Sequence, residues 1–270
     1  MGRAWQTEPV STPMTPSSLP WPTGATPLPV AEVRAVLDRL ASLATVHAQD
    51  VTLLPGLAVA EEELPADPPP ALEQITDELG GLRVRGHDVL DLQVETRTDV
   101  GPYTLLGEPT SWYPLHESPE AAVVLVLDED GTPGAVHGIG EDLALRLAAP
   151  DLPAYLERVA DAVEAVLAVL SARGPAEDDD VSARDDAAEE LLRTHLFDAL
   201  FEADGTEVPL VPAAESDIAD LPAGTLAVAD LQDTPLGARV DALEVDLPGD
   251  PLDLRIGFRE GGRLVVLHSA

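Results

Sequence analysis

Cysteine is absent from the 270-residue sequence, and so is lysine: all 15 basic residues are arginine. Without thiols there is no disulfide, no cysteine nucleophile and no Cys-ligated zinc, a composition compatible with a reducing cytoplasm. Aromatic residues are scarce, with three Trp, three Tyr and three Phe, so each aromatic position carries weight as a core or interface anchor. No apolar run approaches the roughly 20 residues that span a bilayer. The N-terminus has Arg3 but no apolar stretch of the secretory kind, so neither a membrane span nor a signal peptide is expected. Positive charge is heavily outweighed. Fifty acidic residues leave a net charge of −35. Such a chain is repelled by nucleic acid and anionic membranes, which excludes direct binding to either. It suits a basic protein partner, or solubility alone, or the coding bias of a high-GC genome.

The stretch that organises what is present runs from 121 to 170. Residues 122–127 (AVVLVL) form an unbroken apolar run, short enough for a strand buried on both faces. Asp128-Glu129-Asp130-Gly131 supplies a turn with Gly131 free to take positive φ, and 134–139 is the partner strand. Asp151 is an N-cap with Pro153 in the first turn. Leu152, Tyr155, Leu156, Val159, Val163, Val166, Leu167 and Leu170 then recur at helical spacing. A hairpin covered by a helix predicts an α+β fold, an antiparallel sheet covered by helices.

Around it the chain divides by composition. Residues 1–29 carry Pro, Ser and Thr without apolar periodicity, and read as a disordered arm holding Trp5 and Trp21. Residues 30–171 read as the main α+β domain. It opens with a helix over 30–44, a loop anchored by Leu53, Leu54 and Leu57, and a second, Pro-started helix over 71–79. Gly80-Gly81 is expected to end that helix, before strands at 82–84 and 89–94, a third candidate at 103–106, and Trp112-Tyr113 on a loop or strand entrance. Residues 172–186, acidic with Gly174 and Pro175, are expected to be a linker. Residues 187–270 read as a smaller C-terminal module, mostly β or α+β. It has a helix over 187–203 and strand-like runs at 207–211, 225–229, 238–247, 252–258 and 263–268, the last pair joined by Glu260-Gly261-Gly262.

No catalytic motif stands out. An EF-hand needs Asp-x-Asp-x-Asp-Gly with a closing Glu, and Gly131 comes two residues too early, so a β-turn explains those acids and no metal is expected. The six histidines never pair at ligand spacing, and His137, within the second hairpin strand, reads as structural. His116-Glu117-Ser118 holds the residue types of nucleophilic hydrolysis without a G-x-S-x-G context. The glycines of GAVHGIG lack G-x-G-x-x-G spacing and do not open a helix, which removes nucleotide binding. No cofactor is expected.

One order of features carries a resemblance. Leu64-Pro65 leads to a short helix and Gly80-Gly81, then to a hydrophobic strand with Asp128–Gly131 at its turn. Leu147-Ala148 then runs into Leu152-Pro153-Ala154-Tyr155-Leu156. Over residues 58–170 this resembles the SUKH superfamily, which includes yeast cell-wall-synthesis regulators and bacterial immunity proteins that neutralise polymorphic toxins. The prolines at 68–70 replace an aromatic-containing helix start, and the C-terminal module has no counterpart in the minimal family domain. The resemblance implies a non-enzymatic, cytoplasmic α+β module with a protein ligand.

The leading expectation is therefore a protein-binding module, an immunity protein in one form, that meets a basic partner through an acidic face. That face is expected to hold Asp128, Glu129 and Asp130, the pair Glu141 and Asp142, and the aromatics Trp112 and Tyr113, whose alternative place is a cap on the end of the core. The alternatives are a two-module adaptor and an enzyme with a site of dispersed acidic residues.

Overall fold

The computed structural model describes residues 21–59, 68–93, 101–107, 109–118, 121–173, 181–202, 204–243 and 253–269. Helix α1 (Val30–Val46) leads to strand β1 (Val51–Pro55) and a one-turn helix α2 (Glu73–Thr76), followed by β2 (Leu79–Val84) and β3 (His87–Asp91). Strands β4 (Trp112–Glu117), β5 (Ala122–Leu127), β6 (Pro133–Ile139) and β7 (Leu145–Ala149) precede the long helix α3 (Leu152–Ala172). Then come α4 (Val181–Leu192), a π-helical turn (Arg193–Phe197), α5 (Asp198–Phe201), and strands β8 (Val211–Pro212), β9 (Thr225–Asp230), β10 (Arg239–Val240), β11 (Leu254–Arg259) and β12 (Leu264–Ser269). The fold is α+β, and the described residues form three antiparallel sheets ordered β1-β2-β3, β10-β7-β6-β5-β4 and β11-β12-β9-β8.

The five-stranded sheet is the middle layer, and β5 lies inside it. Every side chain of its AVVLVL run is buried, as an apolar run without polar alternation requires when both faces are covered. Val123, Leu125 and Leu127 point to one core with α1, α3 and the three-stranded sheet. Ala122 and Val124 point to the other, packing with Ala229, Ile256, Val265 and Leu267 of the four-stranded sheet. Period-two alternation thus divides one strand between two cores. Gly131 takes φ +87° in the β5–β6 turn, as the turn chemistry demands. Asp151 caps α3, its Oδ1 accepting from the Ala154 amide at 2.8 Å.

Polar clamps fix the helices on this frame. Arg39 of α1 donates to Glu157, Asp161 and Glu164 along one stripe of α3 at 2.7–2.9 Å. Arg85, in the β2–β3 turn, bonds both Asp50 and Asp185, and the latter contact seats the start of α4.

Several elements differ from the sequence reading. Gly80 and Gly81 lie within β2 instead of ending a helix. A Cβ at Gly80 would sit 2.3 Å from the Pro55 carbonyl oxygen, and at Gly81 2.5 Å from that of Leu90, so these glycines serve close strand approach. The loop anchored by Leu53 and Leu54 is strand β1, residues 101–105 form a 3₁₀ turn, and β7 occupies the connection before α3. Residues 181–186, expected in the linker, open α4, and linker residues 174–180 lie outside the described residues. So do 1–20 of the expected arm, Trp5 included, and the Leu64-Pro65 pair. Within 21–29 of that arm, Trp21 and Leu28 pack against the first core, and the Leu28 amide bonds the Ala71 carbonyl.

The packing does not divide at 172–186. Ala188, Leu192, Leu196 and Leu200 belong to the core of α1 and α3, and the second core joins β5–β7 to β9, β11 and β12. Strand β10 pairs with β7 and extends the middle sheet. No described helix is long and apolar enough to cross a membrane.

Candidate functional site

Two glycines determine how α5 meets the sheet. A Cβ on Gly138 of β6 would lie 2.3 Å from the Leu200 carbonyl oxygen, and one on Gly140 2.6 Å from that of Phe201. Helix backbone rests on strand backbone there, which only glycine permits. The glycines of GAVHGIG, unconnected with nucleotide binding in sequence, are a seat for this helix.

The helix reaching that seat is irregular for a readable reason. Ala188, Leu192, Leu196 and Leu200 are all buried, at a strict four-residue interval. In a regular α-helix each such step overshoots a full turn by roughly 40°, so three steps rotate the stripe about 120° away from the core. The wider π-helical turn at Arg193–Phe197 resets the phase and keeps the stripe inward. Phe197 and Phe201 are thereby brought side by side, rings 5.7 Å apart and 12° from parallel. The His116 ring on β4 stands 4.9 Å from Phe197 and 6.1 Å from Phe201.

These three rings line a cleft of 760 Å³. Its walls come from the start of β3, from β4 and the turn after it, from the β6–β7 turn, and from the segment running from α4 into α5. The charge lining it is mostly negative: Asp88, Glu141, Asp142, Glu189, Asp198 and Glu202 face Arg193. Some of that charge is answered. Asp88 binds Arg83, Arg193 is forked onto Glu190, and Asp142 holds the buried Arg146 guanidinium through both oxygens at 2.5 and 2.9 Å. Partial burial works against charge on Asp142, but Arg146 outweighs it and holds the carboxyl below its ordinary range. Glu141 and Glu189 have no ion pair among the described residues.

His116 is the buried polar group of the cleft, 8% exposed. Burial pushes its pKa down to about 4 against a pull upward from Asp88, so the ring is neutral at pH 7. Its Nδ1 is buried without a hydrogen-bond partner, as is one oxygen of Asp198, whose nearest cation is Arg193 at 3.9 Å. Ser118, two residues on, is committed to its own turn, its Oγ accepting from the Ala121 amide at 3.0 Å.

Of the residues expected on a partner-binding face, Glu141 and Asp142 line this cleft. Asp128, Glu129 and Asp130 do not. They sit at the other end of β6, roughly 20 Å away along the strand. There the Asp128 carboxylate accepts from the Gly261 amide at 2.7 Å, Glu129 pairs with Arg259, and Asp130 accepts from the Thr132 amide at 2.8 Å. Those backbone and hydroxyl bonds of Thr132 hold the Asp130 carboxyl below its ordinary range. Trp112 and Tyr113 are not on a surface at all, being 4% and 6% exposed. Successive residues of β4, they enter opposite cores: Trp112 leans on Tyr103 at 5.3 Å, while Tyr113 meets Trp21 edge-on and donates its hydroxyl to the Leu92 carbonyl at 2.8 Å.

Sequence reasoning missed His116 as a member of this cleft, together with Phe197, Phe201, Glu189, Asp198 and Glu202. The strict four-residue stripe from Ala188 to Leu200 was the available signal, since that spacing calls for a π turn and sets the two Phe side by side. Among the described residues, no group of three or more His, Asp or Glu could hold a metal ion. The arrangement suits a cation with an apolar or planar body, held by ring faces and carboxylates. No family model, curated protein or solved structure matches this chain.

Proposed function

We propose that the chain is a non-enzymatic protein-binding module that receives a basic segment of a protein partner in the acidic cleft between the β6–β7 turn and α5. The observation that carries this reading is the cleft itself: Glu141, Glu189 and Glu202 around a floor of Phe197 and Phe201, with a neutral His116 behind them. A net charge of −35 speeds encounter with a cationic partner, and salt screens that gain. Glu141 and Asp142 are the contact residues. The Asp128–Asp130 turn, engaged by Gly261 and Arg259, adds only long-range attraction.

The resemblance to the SUKH superfamily extends the reading to a bacterial, cytoplasmic immunity protein that occupies the basic groove of a toxin with carboxylates. The commitment of Ser118 to its turn favours binding over hydrolysis at this cleft.

The test is capture from a lysate of the source cell by the immobilised full chain and by a Glu141→Lys/Glu202→Lys variant, followed by titration of the purified partner. A basic protein held by wild type, lost from the variant and released by salt supports the reading. A partner retained equally by both removes the cleft from it.

A further inference from the structure

Resting on that reading, we propose that the cleft is a guanidinium site, built to take an arginine side chain of the partner in preference to a lysine. Phe197 and Phe201 are stacked, 12° from parallel, and place aromatic surface in the cleft beside carboxylates. A guanidinium is planar, weakly hydrated and able to stack on such a surface while its five donors turn edgewise to carboxylates. An ammonium keeps its water and has no plane to stack. Glu141 and Glu189 have no ion pair among the described residues, so the edge positions are open to such donors.

The second, independent observation is His116. Its ring is more than nine-tenths buried at the cleft wall, packed against Phe197, and its Nδ1 has no hydrogen-bond partner. A buried polar atom without a partner is costly, and a donor-rich ligand is the kind that relieves it. Being neutral, the ring adds no charge that would repel a cation. The 760 Å³ volume lies within the range of pockets that enclose a side chain with its flanking backbone.

Three end-capped glycine-rich peptides, identical except for a central Arg, Lys or citrulline, are titrated into the ¹⁵N-labelled full chain and measured in parallel by calorimetry. The arginine peptide is expected to bind about tenfold more tightly than the lysine peptide, and the uncharged citrulline peptide not at all. Its shift changes should cluster at residues 140–142 and 193–202. Glu141→Gln, at an exposed turn, should weaken arginine binding with the thermal midpoint unchanged, and Phe201→Leu should reduce it to the lysine level. Equal affinity for Arg and Lys, or shifts spread over the whole acidic surface, overturns the proposal. If the captured partner depends on Glu141 and Glu202 while arginine shows no preference, the guanidinium site falls and the binding module stands. An arginine-selective cleft in a chain that captures no partner has the opposite meaning.

Discussion

Replacing Gly138 with alanine probes the contact that builds the cleft. The added Cβ would lie 2.3 Å from the Leu200 carbonyl oxygen, where ordinary contact begins near 3.4 Å, so strand and helix must part by about an ångström. Gly138 does not have positive φ, which leaves crowding as the source of strain. Overpacking of this kind costs about 1–3 kcal/mol. The alanine returns about 0.4–1 kcal/mol by restricting the unfolded chain. A net loss of about 1–2 kcal/mol lowers the melting temperature of a chain this size by roughly 2–4 °C. Thermal and urea denaturation measure the loss, and the ring-proton shifts of Phe197, Phe201 and His116 report whether α5 has moved. A variant as stable as wild type with unchanged ring shifts refutes the backbone-on-backbone seat.

Further outcomes follow from the burial pattern. His116 and His137 are both pushed down to about 4 by burial, so between pH 6.5 and 4 the unfolded chain binds more protons than the folded one. Their stabilisation is complete above pH 6.5 and is withdrawn as pH falls toward 4, by up to roughly 3 kcal/mol each. Ring protons of these two histidines that titrate near pH 6.5 in the folded chain would contradict it. Leu156 is fully buried in α3, and Leu156→Ala should cost about 2–5 kcal/mol in urea denaturation; a loss under about 1 kcal/mol would contradict its place in the core. Because both cores draw side chains from either side of residues 172–186, heat should melt the chain in one transition. Two separated calorimetric peaks would show two independent units.

Local chemistry was legible where it settled the matter alone. The AVVLVL run, the Gly131 turn and the Asp151 cap each state their structure within a few residues. Gly80 and Gly81 were misread because a glycine pair ends a helix or admits a neighbouring strand equally well, and only β1 and β3 decide which. Residues 181–186 read as the end of an acidic linker until Arg85 and Arg184 are found against Asp185 and Asp50, contacts that seat them as the start of α4. For the site, Glu141 and Asp142 were legible only as an acidic pair beyond the second hairpin strand. Trp112 and Tyr113 were legible as either an interface anchor or a cap on the core, and only the cover that β4 receives on each face from distant segments decides for the core. Phe197 and Phe201 needed the π turn, whose trace in sequence is a four-residue apolar interval that a 3.6-residue template absorbs without notice.

The central claim is that binding resides in the cleft and not in charge at large. It is tested most directly by the association and dissociation rates of the purified partner across a salt series, using wild type, Glu141→Lys/Glu202→Lys and Asp128→Lys/Asp130→Lys. The account predicts that the cleft variant loses about a hundredfold in affinity at every salt concentration, mainly through faster dissociation. The turn variant should slow association at low salt only. Equal losses in the two variants, vanishing together at high salt, would contradict it.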